Sequence, residues 1–183
     1  MRQLPTPLPG VFLLAPEPRE DSRGLFARVF CTGELAGLLA GRHVVQINHS
    51  RTRLRGALRG MHFQHPPAAE MKFVRCVRGA AYDVVVDLRA GSPTFLGWFG
   101  ATLSPETMQT MVVPEGCAHG FQTLEPDTEL VYLHTAPYTP ALDGGVRHDD
   151  PRLGIAWPLP VAETSPRDAA FPLLDANYPG ITP

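Results

Sequence analysis

Apolar residues fall in short runs separated by turn signals, and several runs alternate with polar residues. Val44-Val-Gln-Ile-Asn48 alternates, Lys72-Phe-Val-Arg-Cys-Val77 follows, and Ala80-Ala-Tyr-Asp-Val-Val-Val-Asp-Leu88 comes after the turn at Arg78-Gly79. Thr94 to Leu103 carries Phe95, Trp98 and Phe99. Thr110-Met-Val-Val113 stops at Pro114, and Phe121-Gln-Thr-Leu124 and Glu129-Leu-Val-Tyr-Leu-His134 close the series. A period of two sends successive side chains to opposite faces of a strand. A strand about every 8–12 residues, bounded by turns, suits an antiparallel sandwich or barrel.

Helical patterning is scarce. Thr32 to Ala40 predicts one short helix with Thr32 at its cap, and Ser104-Pro-Glu-Thr predicts a single turn with Ser as cap and Pro just inside it. The Pro-rich tail after Trp157-Pro158 predicts loops laid over the barrel, with one short turn at Ser165-Pro-Arg-Asp168. The 20 prolines and 17 glycines are spread along the 183 residues, which limits long regular elements and favours a many-turned β domain. We expect one domain over residues 1–183, with a barrel core at about 43–135 and N- and C-terminal arms packed on it.

Charge narrows the partners. A net charge of −2 gives no footing for nucleic acid or an anionic membrane surface. No apolar run reaches the roughly 18 residues of a membrane helix, and the proline-broken N-terminus lacks a signal-peptide core, so a cytoplasmic protein is expected. Cys31, Cys76 and Cys117 are too few and too scattered for a disulfide framework or a CxxC metal site, which leaves free thiols, most of them buried.

Three segments place polar residues where a strand core would want apolar ones: Gln46-Ile-Asn-His-Ser50, Arg59-Gly-Met-His-Phe-Gln64 and Pro114-Glu-Gly-Cys-Ala-His-Gly-Phe121. Gln46 and Asn48 share one strand face, as do His62 and Gln64. If that face lines a barrel interior, the interior is a polar pocket. A lone strand histidine is more often a satisfied structural residue. Arg59, His62 and Lys72 together bring positive groups near one site, which suits an anionic ligand such as a phosphate ester.

Pro114-x-Gly-x-x-His119 resembles the second motif of the cupin barrels, and Gly56 followed by His62 resembles the start of the first. That first motif continues His-x-His, whereas this chain has Gln64. Within the superfamily the sequence most resembles the dTDP-4-dehydrorhamnose 3,5-epimerases. Asp21-Ser-Arg-Gly-Leu-Phe26 resembles D-x-R-G-x-F, Gln46 to Ser50 resembles Q-x-N-x-S, and Leu58 to Gln64 resembles L-R-G-(L/M)-H-(F/Y)-Q. Lys72 to Leu88, Ser92 to Phe95, Pro114 to Phe121, Thr128 to Tyr132, Asp149-Asp-Pro151, Ile155 to Pro158 and Ser165 to Leu174 continue the match in order.

The resemblance implies an all-β, cupin-type double-stranded β-helix (jelly roll) with a few short helices. It implies epimerisation of a dTDP-4-keto-6-deoxyhexose at C3, C5 or both through an enolate, in rhamnose or antibiotic-sugar synthesis, with neither metal nor cofactor. His62 is then the base, Asp168 its partner, Lys72 the oxyanion stabiliser and Tyr132 the acid on the opposite face. The plain alternatives are a strand aromatic for Tyr132, an edge charge for Lys72 and a turn polar residue for Asp168. Arg23 and Arg59 resemble diphosphate contacts, Gln46 and Asn48 polar lining, and Phe26 and Tyr138 aromatic walls. His119 is placed in the sugar pocket or at a structural corner. By the same resemblance the N-terminal segment crosses to a second subunit of a homodimer, so Arg23 and Phe26 would serve the partner's site.

Some positions depart from the pattern: Arg28 where Glu is common, Arg167 for Lys, Pro137-Tyr138 for Tyr-Tyr, and Glu70-Met71 for Gln and a small or basic residue. Two other classes remain. A metal-dependent cupin, a dioxygenase or sugar isomerase, would use His62, His65, Glu70 and His119. A non-catalytic sugar-nucleotide barrel would bind without turnover.

Overall fold

Two antiparallel sheets face each other in the computed structural model, which describes residues 1–183. The chain runs through β1 (Arg2–Pro5), β2 (Phe12–Ala15), β3 (Arg19–Asp21), β4 (Gly24–Phe26), α1 (Ala36–Leu39), β5 (Gln46–Thr52), β6 (Leu58–Gln64), β7 (Lys72–Arg78), β8 (Ala81–Asp87), β9 (Trp98–Leu103), β10 (Thr110–Val113), β11 (Cys117–Thr123), β12 (Thr128–His134), β13 (Asp143–Gly145) and α2 (Pro166–Ala169). One sheet has the order β1-β2-β10-β7-β12-β5, the other β13-β6-β11-β8-β9, and β3 and β4 form a separate hairpin. No helix is long and apolar enough to cross a membrane.

Strand alternation sorts the apolar residues into three layers. Between the sheets lie Val74, Cys76, Met111, Val113 and Leu130 from one and Ala81, Val85, Leu103, Cys117 and Phe121 from the other. Intervening residues of the first sheet, Phe73 and Val112, face outward onto Leu35 and Leu39 of the N-terminal arm. Those of the second, Met61, Phe63, Val84 and Val86, face outward onto Leu153, Trp157, Leu174 and Ile181 of the C-terminal arm. Each arm therefore covers one sheet's outer face.

Several local expectations are corrected. β1 and β2 add to the large sheet ahead of residue 43, and Pro5 is tolerated because β1 is an edge strand. The helix at 32–40 shrinks to one turn. Thr32 does not cap it, and Leu35 holds the cap position without a side-chain bond. Gly33, Gly37 and Gly41 give the segment little helical propensity. Ser104 accepts from the Thr107 N–H at 3.3 Å, but no helix follows, because Met108 turns to φ 51°. The strand expected from Thr94 begins only at Trp98. Asp87 draws Ser92 (2.5 Å) and Thr94 (2.7 Å) into a loop, and Leu96 adopts φ 64°. The turn at Ser165 forms as expected, with the Ser165 hydroxyl accepting from the Asp168 N–H at 3.0 Å.

Candidate active site

One end of the space between the sheets is apolar core. The other is an open cavity of about 290 Å³, at the small end for a ligand pocket. The split follows from side-chain type at inward positions. Met61 and Phe63 point to the outer layer, so His62 and Gln64 point in. Leu130 points into the core, and so the next inward positions of β12 are Tyr132 and His134. Phe121 and Tyr132 border both regions. His62 thus stands on the smaller sheet, and Lys72 and Tyr132 on the larger one opposite.

His62 Nε2 lies 2.9 Å from Asp168 Oδ1. The other carboxylate oxygen accepts from the Gly60 N–H at 3.0 Å. Gly60 is required here: a Cβ at this position would lie 2.6 Å from Gly120 Cα, and φ is +129°. β6 and β11 meet at a register shift at this point, which keeps His62 opposite His119. Burial opposes a charge on Asp168, yet the His62 ring, the Gly60 N–H and Ser165 hold its carboxyl below its ordinary value. Asp168 is therefore an anion that fixes one ring nitrogen of His62 and leaves the other free to take a proton.

Across the cavity, the Tyr132 hydroxyl lies 3.1 Å from Ser50 Oγ. Burial pushes its phenol far above the ordinary value, with the Ser50 contact a smaller opposing effect, so Tyr132 stays protonated as a donor. Lys72 Nζ lies 3.3 Å from Glu70 Oε1 and donates to the His62 carbonyl oxygen at 3.3 Å. Burial opposes ionisation of Glu70, but His134 and Lys72 keep its carboxyl below its ordinary value. His119 Nε2 meets the fully buried Asp83 at 2.8 Å. Burial drives the Asp83 carboxyl upward, and His119 only partly offsets this. Chemically, the pocket offers a carboxylate-backed base on one wall, a protonated phenol on the other and an ammonium beside them.

The other candidates are distributed unevenly. Arg59 lines the cavity and is steadied by Nε donation to Thr52 Oγ1 at 3.0 Å. Asn48 and His119 also line it, and Tyr138 stands at its mouth with its hydroxyl on Asp143 at 2.8 Å. Gln46 sits behind Asn48, bonded to it at 3.2 Å. Arg23 and Phe26 are not in this cavity. Arg23 pairs with Asp21 in the solvent-facing β3–β4 hairpin, while Phe26, 72% exposed, lines a separate pocket with Arg28 and Glu34.

Pattern reading missed Ser50, Asp83, His134 and Asp143, and saw Arg167 only as a substitution. Ser50 and His134 were accessible from strand parity, each two residues from a named inward neighbour. Asp83 is an acid inside a strand whose other acid, Asp87, lies at its end. Asp143 and Arg167 form an ion pair at the mouth that bridges β13 and α2, for which no sequence signal exists.

The metal-dependent alternative loses its ligand set. No three His, Cys, Asp or Glu side chains converge in a metal-binding group. His62 is bound to Asp168, His119 to Asp83 and Glu70 to His134 and Lys72, while His65 is exposed outside the cavity. Gln64, at the cupin ligand position, instead bolts two loops, donating to the Ala68 and Pro137 carbonyls and accepting from the Thr139 N–H.

Fold and pocket together define a cupin-type barrel whose polar end is arranged for proton transfer. The sequence profile of the dTDP-4-dehydrorhamnose 3,5-epimerase family matches residues 5–176, and the chain belongs to that family. It is 44% identical over 165 residues to a dTDP-4-dehydrorhamnose 3,5-epimerase of Sinorhizobium fredii, covering 90% of this chain and 85% of the relative. It is 40% identical over 186 residues to a dTDP-4-dehydrorhamnose 3-epimerase of Streptomyces niveus, covering 100% and 89%. Among solved structures, the 4-keto-6-deoxy sugar epimerase NovW from the novobiocin gene cluster of Streptomyces spheroides superposes with a TM-score of 0.89 at 39% identity, over 94% of this chain and 87% of that one.

Proposed function

We propose that this chain epimerises a dTDP-4-keto-6-deoxyhexose at C3, C5 or both. The observation that carries this is the carboxylate-backed His62 on one wall of a single cavity, with protonated Tyr132 on the wall opposite. The C4 ketone acidifies the neighbouring C–H bonds. His62 takes the proton, the electron pair moves through the enolate onto O4, and the Lys72 ammonium stabilises that oxygen. Tyr132 delivers a proton to the other face. Solvent then restores Tyr132 and removes the proton from His62. The carbon skeleton keeps its oxidation state, so the reaction calls for no redox group.

Arg59, His119, Asn48 and Tyr138 bind the sugar and its diphosphate, with Gln46 orienting Asn48 and the guanidinium of Arg59 matching phosphate oxygens. A cavity of about 290 Å³ suits the hexose alone, leaving the nucleotide at the mouth. Arg23 and Phe26 reach the second subunit's nucleotide in a homodimer. The exposure of Leu25 (47%) and Phe26 (72%) on an isolated two-stranded hairpin supports that role. Three free thiols suit the cytoplasm. The relatives' own names, a 3,5-epimerase, a 3-epimerase and an antibiotic-cluster enzyme, support both a rhamnose and a secondary-metabolite role.

The test is NMR of dTDP-4-keto-6-deoxyglucose with the protein in deuterated water. Deuterium entering at C3, C5 or both is the expected result. Unchanged substrate, or deuterium entering equally without protein, overturns the proposal.

A further inference from the structure

Glu70 and His134 have no part in the proton transfers, yet both are buried beside Lys72. They belong to one chain of hydrogen bonds that ends in an ion pair with Lys72. The Tyr138 N–H meets Gln46 Oε1 at 3.0 Å, Gln46 Nε2 meets Asn48 Oδ1 at 3.2 Å, and Asn48 Nδ2 meets His134 Nε2 at 3.2 Å. His134 Nδ1 then meets Glu70 Oε2 at 2.7 Å, and Glu70 Oε1 meets Lys72 Nζ at 3.3 Å.

The direction of this chain is fixed at both ends. A backbone N–H can only donate, so Gln46 must present its oxygen to Tyr138 and its NH2 to Asn48. Asn48 must then present its own NH2 to His134. His134 Nε2 is thereby an acceptor, and the ring proton sits on Nδ1, pointing at Glu70. At the other end an ammonium can only donate. Glu70 therefore takes the ring N–H on one oxygen and faces the ammonium with the other, a task for a carboxylate rather than an amide. Register adds to the restraint, because His134 and Lys72 are paired across β12 and β7.

We propose that the His134–Glu70 pair, with Gln46 and Asn48 setting the His134 tautomer, is a positioning device that holds the Lys72 ammonium against the His62 strand, aimed at the oxyanion. The catalytic meaning rests on the epimerase reading; the holding does not. Sequence makes the holding directly visible. Of the 16 lysine and arginine residues Lys72 is the one lysine, so protein labelled with 13C-lysine shows a single lysine side chain.

The test has two readouts. In the free protein, a held Lys72 gives two resolved ε-proton shifts and a rigid ε-methylene. Glu70→Gln merges the shifts and raises its mobility, because an amide cannot accept from both donors. His134→Gln does the same, since its amide overlays the distal ring nitrogen and leaves Glu70 short of a donor. His134→Asn overlays the proximal nitrogen and restores the rigid signal. In turnover, deuterium exchange into dTDP-4-keto-6-deoxyglucose falls at least about 10-fold in kcat for Glu70→Gln and His134→Gln, with KM little changed and recovery in His134→Asn.

A wild-type-like Lys72 signal in Glu70→Gln and His134→Gln overturns the inference. So does a released lysine with undiminished kcat. Should Glu70→Gln fail to fold, the two variants at 134 carry the test. A wild-type protein that holds Lys72 but exchanges no deuterium refutes the epimerase reading and leaves the holding measured on its own.

Discussion

Lys72 Nζ donates to the backbone carbonyl oxygen of His62 at 3.3 Å, tying the cation of the larger sheet to the strand that bears the base on the smaller one. The ammonium is thus placed by a donor–acceptor contact across the cavity rather than by charge alone. Its position depends on a compact head with donors on several sides.

That compactness makes Lys72→Arg a sharper probe than Lys72→Met. A guanidinium keeps the charge but is planar and wide, and it cannot sit between Glu70 and the His62 carbonyl as an ammonium does. Both variants should lose at least about 100-fold in kcat for solvent deuterium exchange, the scale of removing one oxyanion donor. Lys72→Arg keeping more than a tenth of wild-type kcat would show that positive potential alone suffices.

Asp168→Asn tests the dyad through the tautomer it imposes. The Gly60 N–H requires an oxygen at 3.0 Å, so the asparagine carbonyl turns there and its NH2 faces His62. His62 Nε2 must then accept, and the ring proton moves to the nitrogen that should take the substrate's proton. The fold is retained and the base is lost. Exchange should fall at least about 100-fold, as for removal of a general base by His62→Gln. Equal melting temperatures with that loss of exchange identify a tautomer effect; exchange within threefold of wild type would place the base elsewhere.

Much of this site is legible as strand parity. His62 and Gln64 face inward because Met61 and Phe63 are apolar on a covered outer face, and alternation alone indicates this. Lys72, Tyr132 and Asp168 carry their signal in the family pattern. Their bonding does not, since Asp168 meets His62 across 106 positions of chain. Composition carries a further signal: a chain whose lysine and arginine positions are otherwise all arginine keeps a single lysine, at Lys72. At the N-terminus β1 to β4 were hidden because strands of three or four residues, broken by Pro5 and Pro9, form no periodic run. Thr94 to Gly97 has the composition of a strand but is held as a loop by Asp87, which binds the hydroxyls of Ser92 and Thr94, a contact no local pattern encodes.

Asp87 carries a stability prediction with a defined pH window. Burial raises its carboxyl, but hydrogen bonds from Arg89, Ser92 and Thr94 outweigh burial and lower it to about 2 from 3.8. A carboxyl depressed in the folded state stabilises the protein above its unfolded value, and that contribution fades as pH falls from 3.8 toward about 2. Asp87→Asn should therefore cost about 2 kcal/mol in urea unfolding near pH 7, with the deficit shrinking as the acid range is entered. A deficit that stayed constant down to about pH 3 would point to lost packing instead.

Tyr132 and Ser50 separate proton removal from proton return. Tyr132 is half of a hydroxyl pair with Ser50 at 3.1 Å, and burial keeps its phenol protonated. Tyr132→Phe removes the donor and leaves the ring in place, so His62 should still exchange the substrate's proton with solvent on its own face while inversion is lost. Ser50→Ala leaves the phenol without its partner, so the hydroxyl is misdirected but present. Inversion should then fall roughly 10-fold, well short of the loss in Tyr132→Phe. The measurement is the ratio of deuterium incorporation with retention to incorporation with inversion, read by NMR on the same samples. Base and acid on opposite walls predict that the ratio rises from wild type to Ser50→Ala to Tyr132→Phe. A single group serving both faces predicts instead that exchange and inversion fall together in both variants, which would remove Tyr132 from its role as the acid.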